Sequence, residues 1–188
     1  HQNIRAEDPR TVEFLRAAGR LGIPMLIHYG GEMALARQHM EFEHVGPMLT
    51  VLRRLRREGV MPRVIVAHVA TPSFRWQSAA DCLAFIEAML GEFADAPLYA
   101  DISGLAAFGR THWLSKLAAR RELHRKLLWG SDFPIPVMLS LFWQRVDRVT
   151  RRRIAATTSW VEQDLMLKRA LGFDECVFTQ AESVLRMA

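Results

Sequence analysis

Apolar residues in this chain follow two patterns. Short unbroken runs alternate with longer stretches in which apolar positions recur every three or four residues. The runs are Pro24-Met25-Leu26-Ile27, Arg63-Val64-Ile65-Val66-Ala67, Pro97-Leu98-Tyr99-Ala100 and Leu127-Leu128-Trp129. Unbroken apolar runs of this length read as strands covered on both faces. Each run stops at an ionisable side chain set among turn residues. The exits are His28-Tyr29-Gly30-Gly31, His68, Asp101-Ile102-Ser103-Gly104 and Gly130-Ser131-Asp132-Phe133-Pro134-Ile135-Pro136.

The intervening stretches read as helices. Asp8-Pro9 offers an N-cap with proline at the first helical position, Phe14, Leu15, Ala18 and Leu21 supply a stripe, and Gly22 supplies the stop. A second helix over about 47–58 carries Met48, Val51, Leu52 and Leu55. Behind Ser78-Ala79-Ala80-Asp81, which fits a capping box, Cys82, Phe85, Ile86, Met89 and Phe93 recur at helical spacing. Another helix is expected over about 111–124. Beyond Pro136 the chain reads as helical, with capping boxes at Ser159–Glu162 and Thr179–Glu182.

The exits at 28, 68, 101 and 132 are separated by 40, 33 and 31 residues. Strands alternating with helices at that interval imply βαβ units and a parallel sheet. A doubly wound sheet usually announces its nucleotide site with GxGxxG or GxxxxGK[ST], and neither occurs. A (β/α)8 barrel instead gathers functional residues at the C-terminal ends of several strands, which is the pattern here. The expected fold class is therefore α/β, a partial (β/α)8 TIM barrel of about four units with C-terminal helices, forming a single domain over 1–188.

Composition narrows the field. With 188 residues and half of them hydrophobic, the chain can bury a sizeable core. It has no apolar run of 18 residues and no secretory signal pattern, so no membrane partner is expected. Two cysteines, Cys82 and Cys176, outside any CxxC spacing, read as thiols of a reducing cytoplasm. The net charge of +5 raises a nucleic-acid reading. Arginine is dense at 53–57, 120–121 and 151–153, but the stripe Met48, Val51, Leu52 and Leu55 leaves several of these arginines on a solvated face, and no stacking aromatics interleave with them, so nucleic acid is not an expected partner.

Histidine and aspartate at strand exits are the residue types that bind divalent ions and move protons. A bound ion acidifies water and polarises a substrate oxygen. Asp132 could then serve as general base and His68 could position or protonate substrate. Each also has a plainer reading. A histidine at a strand end is often a hydrogen-bonded structural residue. Asp132 could cap the turn begun by Gly130-Ser131, and Asp101 could cap a turn with Ser103 or Gly104.

Three of these segments resemble the amidohydrolase superfamily. They are Ile23-Pro24-Met25-Leu26-Ile27-His28-Tyr29-Gly30-Gly31, Val64-Ile65-Val66-Ala67-His68 and Leu128-Trp129-Gly130-Ser131-Asp132-Phe133-Pro134, and they are similar to strands five, six and eight of its amidohydrolase-related branch. That branch includes lactone and amide hydrolases and non-oxidative decarboxylases. The resemblance implies that His28 is a metal ligand, that His68 lies at the metal or orients substrate and water, and that Asp132 both binds metal and handles protons. It implies a divalent ion, zinc in the first place, with manganese, iron or cobalt as alternatives, and a small-molecule substrate. Glu32, Arg37 and Asp101 are expected to line the substrate pocket, Arg37 by pairing with a carboxylate.

The family's first strand carries an HxH pair, and none occurs in this sequence. The chain is therefore expected to be the C-terminal half of a longer enzyme. About 100 preceding residues would complete a barrel of ordinary size and supply further ligands, and the 188 residues alone are expected to be inactive. The expected reaction is hydrolysis of a C–N or C–O bond by an activated water. The alternatives are decarboxylation on the same site, or a non-catalytic half-barrel with a binding or structural role.

Overall fold

A computed structural model of the chain describes residues 4–30 and 44–187. These divide into two compact units, with boundaries at Ala100/Asp101 and Ala181/Glu182. The architecture is mixed α/β with parallel strands, as the two apolar patterns imply.

The first unit begins with α1 (Pro9–Arg20). Asp8 caps it by accepting the Arg10 N–H at 2.8 Å, and Pro9 opens the first turn. Val12, Leu15 and Ala18 form its buried face, whereas Phe14 and Leu21 are exposed. Those two sit one position, about 100° of helical rotation, off the buried stripe. The strand β1 (Met25–His28) follows, and then α2 (Gly46–Arg57), which buries Met48, Val51, Leu52 and Leu55.

Next comes β2 (Val64–Ala67), buried at every position as an inner parallel strand requires. In α3 (Ala80–Leu90) the residues Cys82, Phe85, Ile86 and Met89 are buried, with Phe93 just beyond. The capping box expected there does not form. Ser78 Oγ accepts the Ala80 N–H at 3.2 Å, but Asp81 is turned to the Val45 N–H at 2.8 Å. β1 and β2 pair in parallel with His28 opposite Ala67, and β2 pairs in parallel with β3 (Leu98–Asp101).

The second unit starts at the end of β3, where the Ile102 N–H donates to Leu128 O in β4 (Leu127–Leu128) at 2.9 Å. Between them α4 (Thr111–Ala119) ends short of the expected residue 124. Arg120, at φ −97° and ψ 77°, breaks it, and residues 121–126 form a tighter 3-10 turn that buries Leu123 and His124. The helices α5 (Arg148–Ala155), α6 (Trp160–Ala170), α7 (Glu175–Thr179) and α8 (Ala181–Leu185) complete the chain.

Ser159 caps α6, accepting the Glu162 N–H at 3.3 Å. Thr179 does not cap α8. It closes α7, its hydroxyl donating to Glu175 O at 3.2 Å. Cys82 is buried, Cys176 is half-buried, and both are free thiols. No helix among the described residues is long and apolar enough to cross a membrane.

Candidate active site

In the first unit, parallel pairing places two strand exits side by side. His28 is the last residue of β1, and His68 directly follows β2. Their rings meet edge to face, with centroids 5.1 Å apart and planes at 70°. His28 is exposed and His68 is 6% exposed. This spacing is usual for an edge-to-face ring pair. It also suits two imidazoles sharing one tetrahedral ion, since metal–nitrogen bonds of about 2.0–2.1 Å bring the ring centres to about 5 Å.

The backbone at His68 is strained. His68, Val69 and Ala70 have φ of 54°, 55° and 51°, three consecutive non-glycine residues in the left-handed region. Each such residue costs about 1–3 kcal/mol, and a β-branched valine is least suited to it. The turn is closed by the Thr71 N–H donating to His68 O at 3.0 Å.

The β1 exit braces this turn. Gly30 has φ +103°, and a Cβ there would sit 2.6 Å from Ala70 O, so the two loops approach as closely as backbones can. Tyr29, between His28 and Gly30, is buried, and burial pushes its phenol up to about 12, with the nearby Glu7 charge adding to the effect.

In the second unit, Asp101 is buried at the end of β3, where its Oδ1 accepts the Ser103 N–H at 2.9 Å and the Ser103 hydroxyl at 2.6 Å. That is the turn-capping role which the spacing Asp101–Ser103 allows. Asp132 follows β4 in the left-handed region at φ 60° and is exposed. Its turn is held by the Ile135 N–H donating to Asp132 O at 2.9 Å and the Phe133 N–H donating to Ser131 Oγ at 3.2 Å.

Behind the turn lies an ion pair that the sequence reading does not single out. Lys168, fully buried on α6, donates to Asp164 Oδ2 at 2.5 Å and to Gly130 O at 2.9 Å, and the Trp129 indole N–H donates to the same Oδ2 at 3.0 Å. Burial pushes the Asp164 carboxyl up and the Lys168 ammonium down, while their mutual attraction opposes both shifts. The available signal is a stripe. Asp164, Leu167 and Lys168 share one face of α6, which Leu171 continues at its C-cap, so the two charges fall on the apolar side.

Of the expected site residues, His28 and His68 stand together in the first unit, and Asp101 and Asp132 belong to the second. Glu32 and Arg37 lie outside the described residues. Among the described residues no group of three or more His, Cys, Asp or Glu side chains is gathered as a metal would need. Two imidazoles are fewer than the three or four protein ligands usual for zinc. The histidine pair thus fits part of a metal's ligand set by donor type and spacing.

No curated protein and no solved structure matches the chain. The sequence profile of one family, described as amidohydrolase, matches residues 1–158. That span contains every strand among the described residues, His28 and His68, and the Gly-Ser-Asp-Phe-Pro exit. The chain belongs to the amidohydrolase family.

Proposed function

We propose that this chain carries catalytic residues of a metal-dependent hydrolase that cleaves a C–N or C–O bond of a small polar substrate. The observation that carries this reading is the imidazole pair at adjacent parallel strand exits, with His68 held on a strained backbone, in a chain of the amidohydrolase family. Strain of this kind concentrates at functional sites. In this reading β1 to β4 correspond to strands five to eight of a (β/α)8 barrel, with the chemistry at their C-terminal ends.

A divalent ion, when bound, supplies acidified water and a polarised substrate oxygen. The chain's own residues do the rest. His28, exposed at the end of β1, offers an imidazole nitrogen to the ion. His68, buried and fixed by its turn, offers a second nitrogen or orients the substrate. Asp132 contributes a carboxylate oxygen and takes the proton that the attacking water gives up. Ligands beyond these come from residues outside this group.

The test is a metal titration coupled to turnover. Cobalt and zinc are titrated into the metal-depleted longer protein of which this chain is proposed to be the C-terminal half, and turnover is followed on lactones, amides and aromatic carboxylates. H28A is expected to weaken metal binding at least tenfold. D132N is expected to lower turnover by about 10²–10⁴-fold, the usual worth of a positioned general base. Release of carbon dioxide from the carboxylates in place of hydrolysis would turn the assignment to a lyase. Unchanged metal affinity in both H28A and H68A would overturn the reading.

A further inference from the structure

The side chains converging on β4 bear on Asp132. Lys168 is 0% exposed, so its ammonium has surrendered all contact with water. Such burial is costly, and it persists only with hydrogen-bonded compensation. Here the compensation goes to a single place. One bond from Lys168 Nζ reaches Gly130 O, and a second reaches Asp164 Oδ2, which also receives the Trp129 indole. Trp129 and Gly130 are the two residues directly before Ser131-Asp132. The backbone of Trp129 is held as well, its N–H donating to Val177 O at 2.8 Å.

Gly130 itself is closely confined, since a Cβ there would lie 3.1 Å from Ser103 Cβ, beside the Asp101 turn. The charges of Asp101 and Asp132, like that of Asp164, favour the ammonium form of Lys168. Besides Asp164, the acceptor of Lys168 is the carbonyl two residues before an exposed carboxylate.

We propose that Lys168, with Asp164 and Trp129, is a positioning group that fixes the departure of the chain from β4 and so aims the Asp132 carboxylate. Lys168 touches neither substrate nor reacting atoms in this scheme. It acts through Gly130 O, and Asp164 orients it. The functional weight given to Asp132 rests on the hydrolase reading above, whereas the clamp itself rests on these contacts alone.

Amide hydrogen exchange on the full, metal-free chain tests the clamp. The reporters are the Ile135 N–H, which closes the Asp132 turn, and the Trp129 indole N–H. In K168M both are expected to exchange at least tenfold faster, while amides within α1 to α3 keep their rates. Should K168M not fold, W129F removes only the indole donor and is read through Ile135 in the same way. Unchanged Ile135 exchange in the folded variant overturns the proposal.

Paramagnetic broadening by added Co²⁺ then reads the aim of the carboxylate. In the wild-type chain Co²⁺ is expected to broaden resonances of His28, His68 and Asp132. K168M is expected to keep the effect at the histidines and lose it at Asp132. A wild-type chain with no broadening at Asp132 would count against the metal role of Asp132, leaving exchange to judge the clamp. Equal broadening at Asp132 in both proteins would show that Lys168 does not aim it.

Discussion

Tyr29 and Gly30 show how much of the histidine site depends on single residues. The phenol of Tyr29 is buried, and burial pushes it up to about 12. An unfolded tyrosine loses its proton near pH 10. Between pH 10 and about 12 the unfolded chain therefore releases a proton that the folded chain keeps, so stability falls with rising pH across that window, by on the order of 2 kcal/mol. The chain has two tyrosines, and Y99F leaves Tyr29 as the sole phenol. Its phenolate absorbance is expected to rise with a midpoint of about pH 12, and a midpoint near 10 would contradict the burial argument. G30A must adopt φ +103° and meets Ala70 O and Thr71 O, both backbone atoms that cannot swing aside. We expect it to destabilise the chain by more than about 2 kcal/mol in denaturant unfolding. It should also shift the His68 resonances, because relief of the contact moves the strained turn.

Among the elements, the short 3-10 turn of residues 121–126 and the start of α7 are tied by a charge. His124, 1% exposed, holds Nδ1 at 2.8 Å from Asp174 Oδ2, and Arg121 also bonds that carboxylate. The His124 bond is the main cause that holds Asp174 below the usual carboxylate range. A depressed folded pKa gives stability that is present above the unfolded value near 3.9 and is lost as pH falls through the folded one. D174N is thus expected to show a shallower loss of stability below about pH 4 than the wild type, as read by urea midpoints.

The elements also show what the sequence makes legible. β2 is plain because a strand covered on both faces has to be apolar at every position. The exits at His28, His68 and Asp132 follow from it. Phe14 reads as core because periodicity tolerates a one-position error that the folded helix does not. Asp164 and Lys168, four apart on a helix, resemble an exposed pair, and only the neighbouring Leu167 and Leu171 on the same stripe mark them as buried. The left-handed turn at His68-Val69-Ala70 has no sequence signature, because Val69 and Ala70 are residues that avoid that conformation.

For the whole chain, the charge balance bears on partners. A net charge of +5 could draw the protein to nucleic acid if the arginines formed a continuous stripe. Several of them are instead paired with carboxylates. Arg53 pairs with Glu92, Arg56 with Asp95, Arg54 and Arg16 with Glu58, Arg120 with Glu122, and Arg169 with Glu175. Most of these pairs are solvent-exposed, and such pairs add about 0–1 kcal/mol each, so their main consequence is electrostatic rather than structural. A phosphate approaching α2 meets Glu58, Glu92 and Asp95 as well as the guanidinium groups. It would have to displace carboxylates, whereas productive binding needs the release of condensed counterions from the nucleic acid. Fluorescence anisotropy with a labelled duplex at physiological salt is therefore expected to give a dissociation constant no tighter than about 10⁻⁴ M, the weak end of non-specific binding. The double variant E92Q/D95N, which strips the compensating charge from Arg53 and Arg56, should bind more tightly and with a steeper salt dependence. Micromolar binding by the wild type, insensitive to that change, would mean that the positive charge is gathered elsewhere and is put to use.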